Sequence, residues 1–507
     1  MISINRPEDL NRSALEAVAY DETSLCISPS LLAAVDDGRK VFLRLIGNGT
    51  PCYGVTTGLG RLSAVTLTAD EKKDIPKNIL RARAAAFGPA FEKPVVRALM
   101  AIRLVNFLSA RAGVRSAVCR FLVDRLNDGF TPWVPQYGHG MAADAIANSH
   151  AFQTFIGEGF VLSREGDKQP AAAALSQLGV KPLELRDKEG IALINGLTMS
   201  IAYTLHASRR MQRTLSLAHM VAAVSVEGMA ACKDAVDAAI KAAGLEAGTE
   251  TVIDVLNAYL AVSRIESEKL QSAVSYRVVP QVHGALVDAV NTLLRHIDRS
   301  LISFSDNPLL VTDGDGRARL LSVGLFHDQH LVNQVDHTAL CLAHVGILSQ
   351  RRLHRLLDAD MTGLSKQLSM RPGLDAGLVV TQKASLGLEA RLRTLAQPVS
   401  LFTGETSGGQ EDYMTMTIPA VSRLFEMAET VEAMLAYELL AGLAALTGRK
   451  GDPGTGVGRV RDYFSDKVTK ADRDRSPGPD VEIILHALKS VEFQQLLHNV
   501  ERGPRPA

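Results

Sequence analysis

The sequence predicts an all-α, mostly helical protein with a long central helix bundle and a few short strands. Three observations predict it. Apolar residues recur every three to four positions over 195–245, 323–357, 374–397 and 418–447. Those stretches are rich in Ala, Leu and Met, and several are apolar on so many faces that they belong inside a bundle. Strand signals are short and few, the clearest at 40–46 and 317–323.

Along the chain this gives three regions. Residues 1–190 form an N-terminal region, 191–447 carry the bundle, and 448–507 form a charged, peripheral end opened by an exposed loop, GRKGDPGTGVGR. Asp306-Asn307-Pro308, Arg371-Pro372-Gly373 and the glycine-rich stretch 404–409 punctuate the helical runs. The glycines at 454, 456 and 458 follow no strand, and no Lys-Ser pair completes a phosphate loop. His327 and His330 lack a third partner in sequence, so no metal is expected.

Lys plus Arg equals Asp plus Glu at 55 each, a net charge of zero that argues against a nucleic-acid partner and leaves association with other copies unopposed. Five scattered cysteines in no CxxC spacing fit a reducing compartment. The N-terminus lacks a basic segment leading into an apolar run, and no stretch is long and apolar enough for a bilayer, so a cytoplasmic protein with no membrane partner is expected.

Six segments share an order with one family. Tyr53-Gly-Val-Thr-Thr-Gly-Leu-Gly60 resembles the YGVNTGFG loop of the histidine/phenylalanine ammonia-lyases. Glu189 to Gly196 resembles EGLALING, Tyr276-Arg277 within SYRVVPQVHG resembles SLRCxPQVxG, and Ser305 to Pro308 resembles TDNP. Phe326-His327 matches FHG, and 406–412 resembles TSxNQED. The resemblance implies the ammonia-lyase/fumarase-aspartase type of helix bundle, four chains per molecule, and active sites shared between chains.

Members of that family cyclise Ala-Ser-Gly into a methylidene-imidazolone electrophile. Here the matching stretch reads Met141-Ala142-Ala143, and Ala142 has no hydroxyl to lose. The group is therefore not expected to form. Further departures are Val274, Leu325, Arg83 and Lys383, the last in VVTQKASL at a normally uncharged helix position. Lys383 is read either as part of a solvated helix face or, given its apolar neighbours Leu378, Val379, Val380 and Leu386, as a buried lysine with a task.

A site without the electrophile suits a substrate that brings its own leaving group. A quaternary ammonium departs as neutral trimethylamine, whereas a primary amine needs activation. This pattern resembles a prosthetic-group-free branch of the family, the ergothionases, and implies elimination of trimethylamine from ergothioneine, an amino-acid betaine, to give thiourocanate. Elimination from hercynine, histidine or another amino acid is the alternative, and an inactive binding homologue is a third reading.

Roles follow from side-chain chemistry, with Tyr53 matching the loop tyrosine of the family. Tyr53 is the candidate base; a phenol ordinarily titrates near about 10, so it needs a neighbouring cation such as Lys383 or Arg83. Arg277 is the candidate carboxylate clamp, a structural ion pair being the alternative. Glu411 is a candidate proton donor or acceptor, or else a helix N-terminal carboxylate. Asn195, Gln271 and Gln281 either donate to substrate or satisfy buried backbone. Phe326 walls the pocket or joins the core. His139 and His150 flank the segment where the electrophile would stand.

Overall fold

The computed structural model describes residues 1–267, 269–468 and 473–501. Packing divides them into two compact units. The first comprises Met1–His206, Leu293–Asn333 and Val399–Val421; the second comprises Ala207–Thr292, Gln334–Pro398 and the chain from Ser422. The three sequence regions are linear, whereas these units are discontinuous, because the long helices Thr198–Met229, Val279–Ile302, Gln329–Leu356 and Thr417–Leu446 each contribute to both.

In the first unit the helix Lys93–Leu108 is buried from Val95 to its end. Its sequence, VVRALMAIRLVNFL, is apolar on nearly every face, which is the pattern of an interior helix. Of the two arginines it carries, Arg97 donates to the carbonyls of Val18 and Leu126 at 2.9 Å, and Arg103 reaches the Thr198 hydroxyl at 3.4 Å. The strands are short and confined to small two- and three-stranded sheets, such as the hairpin Leu309–Thr312 with Ala318–Leu321. That hairpin is where the sequence predicts a strand at 317–323.

The predicted strand at 40–46 is helix. Val41, Phe42, Leu45 and Ile46 read as a β-prone run, yet they lie in the helix Pro29–Gly47. Ser28 accepts from the Leu31 amide and Pro29 occupies the first turn, a start signal that outweighs the local run. Leu31, Leu32, Val35 and Phe42 then form its buried stripe.

The second unit packs helices closely through small residues. A methyl at Gly346 would lie 2.6 Å from Leu392 and 3.0 Å from Val431, so glycine lets three helices meet there. One ion pair lies wholly inside: Arg352 Nε donates to Glu438 at 2.6 Å, and both side chains are fully buried. The GRKGDPGTGVGR stretch is less exposed than predicted. Gly454 opens the helix Thr455–Phe464, and its amide donates to both carboxylate oxygens of buried Glu227. A methyl at Gly456 would meet Tyr259 Cα at 2.6 Å, so these glycines serve helix packing. No helix among the described residues is long and apolar enough to cross a membrane.

Candidate active site

In the first unit the structure brings together Tyr53, Arg83 and Glu411. Tyr53 begins a tight loop in which Thr56 Oγ1 accepts from the Cys52 amide at 2.8 Å. The phenolic oxygen accepts from the Gly60 amide at 2.7 Å, tying the loop's two ends together. Gly54 has a φ of +68°, and a methyl there would lie 2.6 Å from Ile191, so the loop is seated on the helix Glu189–Ile194. Across from it, Gly60 faces Ser407, and Arg61 lies against Gly408.

Arg83 ends the helix Glu71–Arg83 and is half-buried. Burial pulls its guanidinium below the ordinary value, while charge on Tyr53 and on Glu411 opposes that fall. The cation expected beside the candidate base is thus Arg83. Glu411 closes a turn rather than opening a helix: its carboxylate accepts from the hydroxyls of Thr406 and Ser407, each at 3.2 Å. The following helix starts only at Thr417, which removes the helix N-terminal reading.

Asn195 is buried at the end of the helix Glu189–Ile194, and its Nδ2 donates to the Asn307 carbonyl at 2.7 Å. This is the backbone-satisfying role. Phe326 is half-buried on the segment between the hairpin and the helix Gln329–Leu356. His139 bonds the Pro135 carbonyl at 2.8 Å through Nε2 and packs 5.6 Å from Phe91, with its pKa lowered by burial. His150 accepts from the Ala86 amide at 3.0 Å and is pulled down to about 4, chiefly by burial, so it is neutral near pH 7.

The remaining candidates lie in the second unit. Arg277 donates from Nε to the Ser272 carbonyl at 3.0 Å. The Gln271 amide oxygen, in the orientation that satisfies both groups, accepts from its Nη2 at 3.1 Å and Nη1 at 2.5 Å. Gln271 therefore orients the guanidinium. Gln281 is exposed on the helix Val279–Ile302. Lys383 is also exposed, on the helix Val379–Leu395, with Val380 at 46% and Leu386 at 52% exposure beside it. In the single chain this is an open face that mixes one charge with large apolar groups, and the buried-lysine reading does not hold there.

The sequence matches the aromatic amino acid lyase family over residues 10–466. This chain belongs to that family. The probable histidine ammonia-lyase of Thermoplasma acidophilum is 31% identical over 94% of this chain and 96% of its own length. The histidine ammonia-lyase of Geobacillus kaustophilus is 35% identical over 80% of each chain. Among solved structures, a tyrosine aminomutase from Streptomyces globisporus superposes with a TM-score of 0.89, at 27% identity and 98% coverage of both chains. The ergothioneine-degrading ergothionase of Treponema denticola superposes at 0.92 over 97% of this chain and 99% of its own, but at 22% identity that likeness concerns the fold.

In this chain the segment matching the family's cyclising tripeptide forms a short 3-10 turn, Ala142–Asp144. Ala143 and Asp144 are left-handed, at φ +62° and +51°, a conformation that costs about 1 kcal/mol or more per non-glycine residue. Asp144 is held by the start of the helix Thr198–Met229: its carboxylate accepts from the Ser200 amide and hydroxyl, each at 2.7 Å. Burial raises its pKa to about 6, with the hydrogen bonds from Ser200 and the charge of Arg103 opposing. Neither the Asp144–Ser200 contact nor the ion pair of Lys188 Nζ with Asp306 Oδ2 at 2.9 Å has a local sequence signature. The donor set at 141–143 does not fit formation of the methylidene-imidazolone, because a methyl stands where a hydroxyl must leave.

Proposed function

We propose that this chain is a carbon–nitrogen lyase that works without a methylidene-imidazolone and eliminates trimethylamine from ergothioneine to give thiourocanate. The observation that carries the reading is Arg83 beside Tyr53 and Glu411, in a chain whose cyclisation position is Ala142. A cation next to the phenol supports Tyr53 as base, and the missing hydroxyl turns the reaction toward a substrate with a good leaving group.

The chemistry balances without a further reactant. Tyr53 takes the proton from the carbon attached to the substrate ring. The electron pair left behind forms the double bond, and the carbon–nitrogen bond breaks with its pair on nitrogen, releasing neutral trimethylamine. Arg277, steadied by Gln271, clamps the carboxylate. Lys383 polarises the ring sulfur and takes up charge that develops there. Glu411 receives or returns protons at the Tyr53 side. A homotetramer with shared sites is part of the proposal: exposed Leu401, Phe402 and Tyr413 in one unit, and Val380 and Leu386 beside Lys383 in the other, offer apolar surface for further copies. The protein is read as cytoplasmic.

The identities to histidine ammonia-lyases favour a second reading, elimination from histidine or hercynine on the same residues. Incubating the purified protein separately with ergothioneine, hercynine and histidine, and assaying both trimethylamine and ammonia, tests the choice. Trimethylamine from ergothioneine with little ammonia from histidine is expected. Rapid ammonia release from histidine would refute the leaving-group argument, and no release from any of the three would leave a binding homologue.

A further inference from the structure

Beneath the Tyr53 loop lies a buried ion pair to which no role has yet been given. Lys188, at 2% exposure, immediately precedes the helix Glu189–Ile194 and adopts a left-handed φ of +70°. Its Nζ donates to Asp306 Oδ2 at 2.9 Å and to the Pro308 carbonyl at 3.1 Å. The second carboxylate oxygen of Asp306 accepts from the Asn307 amide at 2.7 Å. One lysine thus fixes the 306–308 turn from both sides.

The Asn195 side chain and the Tyr53 loop are both referenced to this pair. The turn's Asn307 carbonyl is the acceptor of Asn195 Nδ2, while its Oδ1 accepts from the Val323 amide at 2.8 Å. Gly196 approaches the same turn so closely that a methyl would sit 2.4 Å from the Ser305 carbonyl oxygen. On the other side, the thiol of Cys52 lies near enough to feel the charges of Lys188 and Asp306, though burial dominates and pushes it up to about 11. Cys52 directly precedes Tyr53, and Gly54 rests on Ile191 of the helix that Lys188 introduces. Glu189, fully buried, locks the same helix start by accepting from Arg115 Nε at 2.7 Å and Nη2 at 2.8 Å.

An isolated buried charge is costly, so each member of the pair requires the other in place. We propose that Lys188 and Asp306 are positioning residues, which set the Asn195 amide and the seat of the Tyr53 loop in one register. The inference rests on the reading that Tyr53 faces substrate, but its physical content is testable apart from activity.

The test compares the parent with Lys188→Met/Asp306→Asn, which removes both charges together, and with Lys188→Arg, which keeps the charge. Hydrogen exchange of 52–60 and 305–308 reads the seating directly. We expect exchange on the order of tenfold or more faster in the double variant, with the helix Ala247–Leu260 of the second unit unchanged, and partial rescue by Lys188→Arg. In steady state kcat falls on the order of tenfold or more while KM moves less. Unchanged exchange in the folded double variant overturns the proposal, and so does an unchanged kcat in an active one. If the double variant does not fold, Lys188→Arg carries the same two readouts against the parent. A parent that turns over none of the candidate substrates refutes the functional reading alone, because the exchange result still stands or falls by itself.

Discussion

The hydroxyl of Tyr53 accepts a hydrogen bond from the amide of Gly60 at 2.7 Å. That bond fixes the phenolic oxygen at the mouth of the loop, and Arg83 lies near enough to feel its charge. Tyr53→Phe keeps the ring and deletes the base. Turnover should fall by about 10²–10⁴-fold while the far-ultraviolet circular dichroism and thermal midpoint stay close to the parent's. A variant with near-parent kcat would remove Tyr53 from the chemistry.

Lys383 stands exposed between Val380 and Leu386, so its removal leaves no buried charge or cavity in the chain. Lys383→Met should therefore fold normally and lose on the order of 10²-fold in kcat, as when one transition-state donor is deleted. Unaltered turnover would return Lys383 to the solvated face.

How far the sequence is legible follows from the range of the interactions. The helices Thr198–Met229, Gln329–Leu356 and Thr417–Leu446 are visible because periodicity is a local property, repeated over many turns. The run at 40–46 misleads because β-prone residues there fall on one stripe of a helix already fixed by Ser28 and Pro29. The glycines of GTGVGR look like a loop because their reason, contact with Tyr259, lies far away in sequence. At the site, Tyr53, Arg83 and Glu411 are recognised by motif, whereas Asp144 with Ser200 and Lys188 with Asp306 pair across long separations. Lys383 misleads toward burial because its apolar neighbours Val380 and Leu386 are themselves exposed in the single chain.

The cofactor claim has its own check in the mass of the protein. Cyclisation of a tripeptide into a methylidene-imidazolone expels water, and Ala142 supplies no hydroxyl for it. Intact mass spectrometry should return the mass of the uncyclised chain. A species lighter by the lost water, mapped to 141–144, would contradict the account.

Acid should unfold the bundle through its buried histidines. His219 stacks on His283 at 5.4 Å, and burial pulls His219 from 6.5 down to about 4. As pH falls, the unfolded chain takes up this proton first. The contribution to stability is therefore full above about 6.5 and is lost as pH drops toward 4, on the order of 3 kcal/mol at most. His219→Gln should flatten the fall in urea-unfolding stability between pH 7 and 4. A parent-like slope in that variant would show that this histidine does not govern acid sensitivity.

The central claim is elimination of a leaving group that needs no electrophile. Proton nuclear magnetic resonance of the purified protein with ergothioneine tests it most directly, by following the trimethylamine methyl signal against the vinyl protons of the product. Both should rise together in equal molar amount, with catalytic turnover. Persistence of intact ergothioneine beside folded protein, or ammonia from histidine as the faster reaction, would contradict it.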